Sequence, residues 1–186
     1  MIAGLGNPGA RYQATRHNAG FWFADAQAQA QGGQFKASSR FHGELCEVAV
    51  AGRVCTILKP DTFMNRSGQA VKALAGFYKI PVEQILVVHD ELDLPPGTLR
   101  LKRGGGHGGH NGLRSIMESL GGDFVRLRVG IGHPGHRDLV TDYVLSKPSQ
   151  EDRRAIEAAI AAALEVMPEL LSGEFERAMH QLHCSK

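Results

Sequence analysis

Apolar residues recur along this chain in two rhythms. Val71, Leu74, Ala75 and Tyr78 fall at helical spacing over Ser67 to Tyr78. Ile156, Ile160, Leu164 and Met167 line one face of a helix over Glu151 to Met167, which Pro168 is expected to stop. Asn111 to Leu120 also reads as helix, and the Ala/Gln run from Asp25 to Gln31 reads as one with a polar face, broken at Gly32-Gly33. Strand patterns lie between them. Ile85-Leu86-Val87-Val88 is continuously apolar, the mark of a strand covered on both faces. Thr98 to Lys102 and Phe124 to Ile131 alternate, and Glu44 to Leu58 holds two β-rich runs around Ala51-Gly52, which predicts a hairpin. Helices and strands interleave, so the expected fold is α/β, one domain over 1–186 with helices flanking a mixed sheet.

Composition agrees with that size and class. The chain has 186 residues, 42% apolar and 22% charged, which argues against disorder and against a fibre. Its apolar runs fall far short of the roughly 20 residues of a membrane span. The opening Met1-Ile2-Ala3-Gly4 has no basic segment and no long apolar one, so no secretory signal is expected. Cys46, Cys55 and Cys184 are odd in number and form no CxxC pair, the usage of reduced thiols in the cytoplasm. Net charge is only +2, but its distribution is uneven. Residues 100–137 carry Arg100, Lys102, Arg103, Arg114, Arg126, Arg128 and Arg137 against Glu118 and Asp123. Such a band suggests an anionic partner as readily as it suggests a solvated face.

The chemistry gathers in three segments at predicted strand-to-helix junctions. They are Gly4 to Gly9 with Arg16-His17-Asn18, Lys59 to Asn65, and His89-Asp90 with Gly104 to Asn111. Open α/β sheets bind ligands beyond the carboxyl ends of their strands, where such loops converge. Two glycine patterns, Gly4-x-Gly6-x-x-Gly9 and Gly104-x-Gly106-x-x-Gly109, formally match a dinucleotide fingerprint, but both are weak. Pro8 removes an N–H from the first, Asp25 falls inside a helix, and the second has no strand-end acid at the right distance. No HExxH or zinc-spaced Cys/His set occurs, so no metal is expected. His42, His180 and His183 read as surface residues, while His133 and His136 sit in a Gly/Pro turn.

His17 and Asp90 form the sharper candidate. Histidine accepts a proton near neutral pH, and a carboxylate on its other nitrogen fixes the tautomer and stabilises the imidazolium. Asp90 follows a buried run, whereas Glu91 is expected to point the other way and Asp93 to sit in a turn. GxSxG is absent, so a hydrolase built on this pair would use water. Asn7, Asn65 and Asn111 then supply amide N–H groups for a carbonyl or oxyanion, although Asn7 and Asn65 also suit turns and caps.

These segments resemble bacterial peptidyl-tRNA hydrolases. The likeness runs nearly end to end. It is carried by Gly4-Leu5-Gly6-Asn7-Pro8-Gly9 through Tyr12, Thr15 to Gly20, Lys59 to Gly68, His89-Asp90-Glu91-Leu92-Asp93, Gly104 to Gly112 and Arg126 to Gly135. The resemblance implies a three-layer sandwich around a twisted mixed sheet. It also implies hydrolysis of the ester between an N-blocked aminoacyl or peptidyl group and the 3′ end of tRNA, by a cytoplasmic monomer needing no cofactor or metal. By matching position, His17 resembles the general base and Asp90 the residue that keeps it basic. Asn7 looks like the residue that tells N-blocked from free aminoacyl-tRNA. Tyr12, Phe63, Asn65 and Asn111 correspond to substrate contacts, with Met64 and His110 lining the cleft. Lys102 and Arg128 resemble the pair that grips the tRNA 5′ phosphate, with Arg137 near them. Only Met1-Ile2-Ala3 precede Gly4, fewer than is usual in the family. That predicts either a short first strand or a misplaced start codon; a short inner strand is expected to loosen Asn7 and to lower stability more than chemistry. The rival readings are an RNA-binding module of the same fold without hydrolysis, a dinucleotide-dependent oxidoreductase and a metal hydrolase.

Overall fold

The structure is a computed structural model that describes residues 1–184, without the Cys184 side chain; the expectation for that thiol lies outside the described residues. Four parallel strands form the centre of the sheet: β1 (Ile2–Gly4), β4 (Arg53–Pro60), β5 (Leu86–Glu91) and β7 (Val125–Gly130). The antiparallel strands β2 (Lys36–Ser38), β3 (Gly43–Val50) and β6 (Leu99–Arg103) complete the order β2-β3-β4-β1-β5-β7-β6. β3 and β4 are the expected hairpin, turning at Ala51-Gly52.

The covered strands read as they should. Ala3 and Val87 face one core with Leu58, Leu74 and Ile116, under α2 (Ser67–Phe77) and α3 (Asn111–Leu120). Ile2, Val88 and Leu127 face the other with Trp22, Phe23, Ile156 and Ile160. That side is closed by α1 (Ala19–Ala30), α5 (Gln150–Glu165), α6 (Met167–Ser172) and α7 (Phe175–Cys184). The short helix α4 (Val140–Val144) lies at the strand ends. No described helix is long and apolar enough to cross a membrane.

Two expectations need correction. Pro168 does not simply end a helix: α5 stops at Glu165, and Pro168 occupies the first turn of α6, where its missing N–H is not needed. The three-residue β1 does not loosen Asn7. β1 is buried between β4 and β5, and the loop after it is fastened by side chains.

The chain leaves β1 toward α1 on one face and leaves β4 toward α2 on the other. That divergence opens a crevice at the carboxyl ends of the parallel strands. Gly20 brings α1 close to it. A β-carbon there would overlap Leu5 N and Val88 O, so only glycine lets the start of α1 rest on the end of β1 and the middle of β5.

Candidate active site

The crevice is a cleft of about 760 Å³, and loops from all three polar segments line it. His17 sits on a 3-10 turn, Arg16–Asn18, just before α1. Its Nδ1 lies 2.9 Å from both Asp90 oxygens. Asp90, 4% exposed near the end of β5, accepts a second bond from His110 Nε2 at 2.8 Å. His17 Nε2 has no protein partner among the described residues and is left to the cleft. Burial works against the imidazolium, but the charge and hydrogen bond of Asp90 outweigh it and hold the His17 pKa above 6.5. Burial likewise opposes the Asp90 charge, yet the His17 and His110 imidazoles hold that carboxyl far below the usual range.

Asn7 is fixed in orientation. Met64 N–H donates to its Oδ1 at 2.8 Å, so its Nδ2 donors turn to the cleft. Asn18 clamps the Asn7 backbone: Asn7 N–H donates to Asn18 Oδ1 at 2.9 Å, and Asn18 Nδ2 to Asn7 O at 3.0 Å. Asn65 and Asn111 reach the cleft from its rim, both exposed and unbonded to the protein among the described residues. Phe63 is exposed on the rim and Met64 buried below it. Tyr12 does not line the cleft; it meets the cleft through Phe63, ring edge to face at 6.3 Å.

The basic band divides. Lys102 and Arg137 are exposed along the cleft. Arg128 lies there too, its Nε donating to Glu91 Oε2 at 2.9 Å, so a fixed carboxylate orients its fork. Arg126 is different. It is 3% exposed, and its guanidinium donates to the carbonyls of Gly105 and Gly106. It anchors the loop whose residues Gly104, Gly105, Gly108 and Gly109 all have positive φ.

Several of these roles escaped the sequence. Asn18 and Arg16 stood beside His17 without a function. Arg16 runs under the Tyr143 ring to Ser146 Oγ at 2.7 Å and to Lys147 O at 3.0 Å, tying the wall formed by α4 to the turn that bears His17. His183 is not a plain surface residue: its Nε2 accepts the Leu101 N–H at 3.1 Å. Asp25 lies within α1, not in a strand-end loop, and pairs at 2.8 Å with Lys59 near the end of β4. The nitrogen and oxygen donors of His17, Asp90 and His110 lie within 4.8 Å of one another, near enough to share a cation. Yet both ring nitrogens that face the carboxylate donate hydrogen bonds to it, so an ion would have to displace two protons.

Among the described residues no serine or cysteine lines the cleft, and His17 is already backed by a carboxylate. What fold and cleft define together is a hydrolase of the α/β class. A family model described as peptidyl-tRNA hydrolase matches residues 1–186. The chain is 57% identical over 184 residues to a peptidyl-tRNA hydrolase of Halorhodospira halophila, covering 98% of this chain and 95% of that one. It is 56% identical to one from Neisseria gonorrhoeae, covering 98% and 96%. A crystal structure of peptidyl-tRNA hydrolase from Acinetobacter baumannii superposes with a TM-score of 0.97 at 47% identity, covering 100% of this chain and 94% of that chain. The chain belongs to the peptidyl-tRNA hydrolase family.

Proposed function

We propose that this protein hydrolyses the ester between an N-blocked aminoacyl or peptidyl group and the 3′ end of tRNA, with His17 as general base. The observation that carries the proposal is the His17 Nδ1 to Asp90 contact of 2.9 Å with Nε2 left to the cleft. Nε2 takes a proton from water, and the oxygen attacks the ester carbonyl. The Asn7 amide, its orientation fixed by Met64, donates to the acyl side of the substrate. As the tetrahedral species collapses, the bond to the ribose 3′ oxygen breaks and the imidazolium returns its proton to that oxygen. The products are a free acid and free tRNA. A general base of this kind contributes about 10²–10⁴-fold.

The discrimination follows from hydrogen-bond sense. An N-blocking acyl group offers a carbonyl acceptor to a fixed amide donor, whereas a free ammonium offers only donors. Phe63, with Tyr12 behind it, gives the terminal base an aromatic face; Asn65, Asn111 and Met64 line its approach. Lys102 and Arg128 take the 5′ phosphate, with Arg137 lining the same cleft. The protein acts as a cytoplasmic monomer without metal or cofactor.

The deciding experiment incubates the protein with N-acetyl-aminoacyl-tRNA and with the unblocked form, each with and without EDTA. Cleavage of only the blocked ester, unchanged by EDTA, is the expected result. Binding without release would make this an RNA-binding module, and loss of activity in EDTA would move the chemistry to a metal.

A further inference from the structure

His110 does more than wall the cleft. It stands at the N-cap of α3, and its Nδ1 lies 3.1 Å from Gly112 N and 3.3 Å from Leu113 N. Main-chain amides only donate, so Nδ1 carries the lone pair and the ring proton sits on Nε2. That Nε2–H points at Asp90 Oδ1, 2.8 Å away, while His17 Nδ1–H reaches the same carboxylate from the other side. One buried carboxylate thus serves two imidazoles, and the helix amides decide which nitrogen of the second one serves it.

The surrounding groups leave this arrangement alone. His89 packs edge-on against His110, centroids 5.1 Å apart, and donates its Nδ1–H to Asp90 O at 2.7 Å. Burial, with His110 beside it, lowers its pKa to about 3, so it faces His110 as a neutral ring. Arg126 is turned to the glycine-loop carbonyls, Arg16 to Ser146 and Asp152, and Glu91 to Arg128. Asp90 is the one carboxylate bonded to His17 among the described residues.

We infer that His110 is a positioning residue for the base: its Nε2–H holds the Asp90 carboxylate in place and draws off part of the charge that Asp90 presents to His17. The inference rests on reading His17 as the base. A second donor on a carboxylate stabilises its charge, so the carboxylate raises its first partner's proton affinity less. With His110 in place, more of the enzyme carries an unprotonated His17 near neutral pH.

The test is the pH dependence of kcat/KM on N-acetyl-aminoacyl-tRNA for the wild type, His110→Asn and His17→Asn. Asparagine is a favoured N-cap whose oxygen accepts the first amides of α3, and it is too short to reach Asp90. His110→Asn should move the acid limb up by about half a unit to one unit. Its kcat should fall about 3–10-fold at neutral pH and recover on the alkaline plateau, with KM and Tm nearly unchanged. A uniform loss at every pH, or a limb that does not move, would overturn the inference. The base assignment fails separately, if His17→Asn keeps an acid limb. NMR of the histidine ring nitrogens in the wild type provides a check that needs no variant: His110 should carry its proton on Nε2, and a proton on Nδ1 would overturn the inference.

Discussion

Asn18 returns both arms of its side-chain amide to the main chain of Asn7. One arm accepts the Asn7 N–H at 2.9 Å and the other donates to the Asn7 carbonyl at 3.0 Å. It is the pairing of a sheet made by a side chain, and it takes over where the three residues of β1 run out. Because Asn18 follows His17 directly, the clasp also ties Asn7, the amide proposed to meet the acyl group, to the turn that carries the proposed base.

Asn18→Ala should therefore disturb both stability and selectivity. Asn18 is 1% exposed, and its loss leaves two buried backbone groups without partners, which costs about 1–3 kcal/mol for each. A urea titration should show the lower midpoint. The ratio of cleavage rates for N-acetyl-aminoacyl-tRNA and aminoacyl-tRNA should narrow, because Asn7 is no longer held. A destabilised variant with the wild-type ratio would show that Asn18 serves the fold alone.

Asp90→Asn should move the activity profile in the opposite direction to His110→Asn. In the wild type the His17 pKa is raised above its ordinary 6.5, so with His17 as the base activity should fall as pH drops through that raised value. Without the carboxylate, burial alone remains to act on His17, and burial lowers an imidazole pKa. The acid limb should shift to lower pH while the plateau falls about 10²–10⁴-fold, since a weaker base in an unsupported tautomer does the work. His17→Ala should lose as much in kcat with little change in KM. Pre-steady-state and steady-state rates across the pH range would check both, and an upward shift in Asp90→Asn would refute the pairing.

Much of this site was legible because β5 announces itself. Four apolar residues ending at Val88 mark a covered strand, and the first carboxylate after it, Asp90, has to emerge at a strand end. The Ala51-Gly52 hairpin and α3 are equally local, readable from a turn pair and from a run of ten residues. What stayed hidden depends on partners distant in the chain. Arg126 looked like one more member of the basic band, yet alternation on β7 sets it beside Lys102 under the glycine loop, where it is buried. Glu91 does alternate away from Asp90, but only the register of β5 with β7 shows that Arg128 meets it. Likewise the Leu101 N–H on edge strand β6 finds its acceptor in His183, a pairing across 82 positions that leaves no periodic trace.

Lys102 and Arg128 should separate binding from chemistry. Both line the cleft without contacting His17, Lys102 without an ion-pair partner among the described residues and Arg128 oriented by Glu91. Lys102→Ala and Arg128→Ala should each raise KM with kcat little changed. Each should also flatten the log–log dependence of KM on salt by about 0.7–0.9, the slope of one phosphate contact. Glu91→Gln should keep the hydrogen bond to Arg128 while removing the competing negative charge, so KM at low salt should fall. Salt titrations of the three variants decide it; unchanged slopes would remove these residues from phosphate binding.

Gly20→Ala tests whether the backbone, and not only the side chains, builds the site. A single methyl at Gly20 would run into Leu5 N and Val88 O, two main-chain atoms that cannot rotate aside. α1 would have to lift from the sheet, at a cost of about 1–3 kcal/mol for overpacking, despite alanine's better helix propensity. Lifting the start of α1 also draws His17 away from Asp90, three residues and one strand end removed from the clash. The expected result is a lower Tm together with a kcat loss of about ten-fold or more, as misplacement of a catalytic group by an ångström can produce. Alanine at Gly76 on α2, where a β-carbon meets nothing within 4 Å, is the control: it should raise Tm slightly and leave kcat alone. A Gly20→Ala enzyme with full activity would mean that the close approach of α1 to β1 and β5 is not what sets the histidine against its carboxylate.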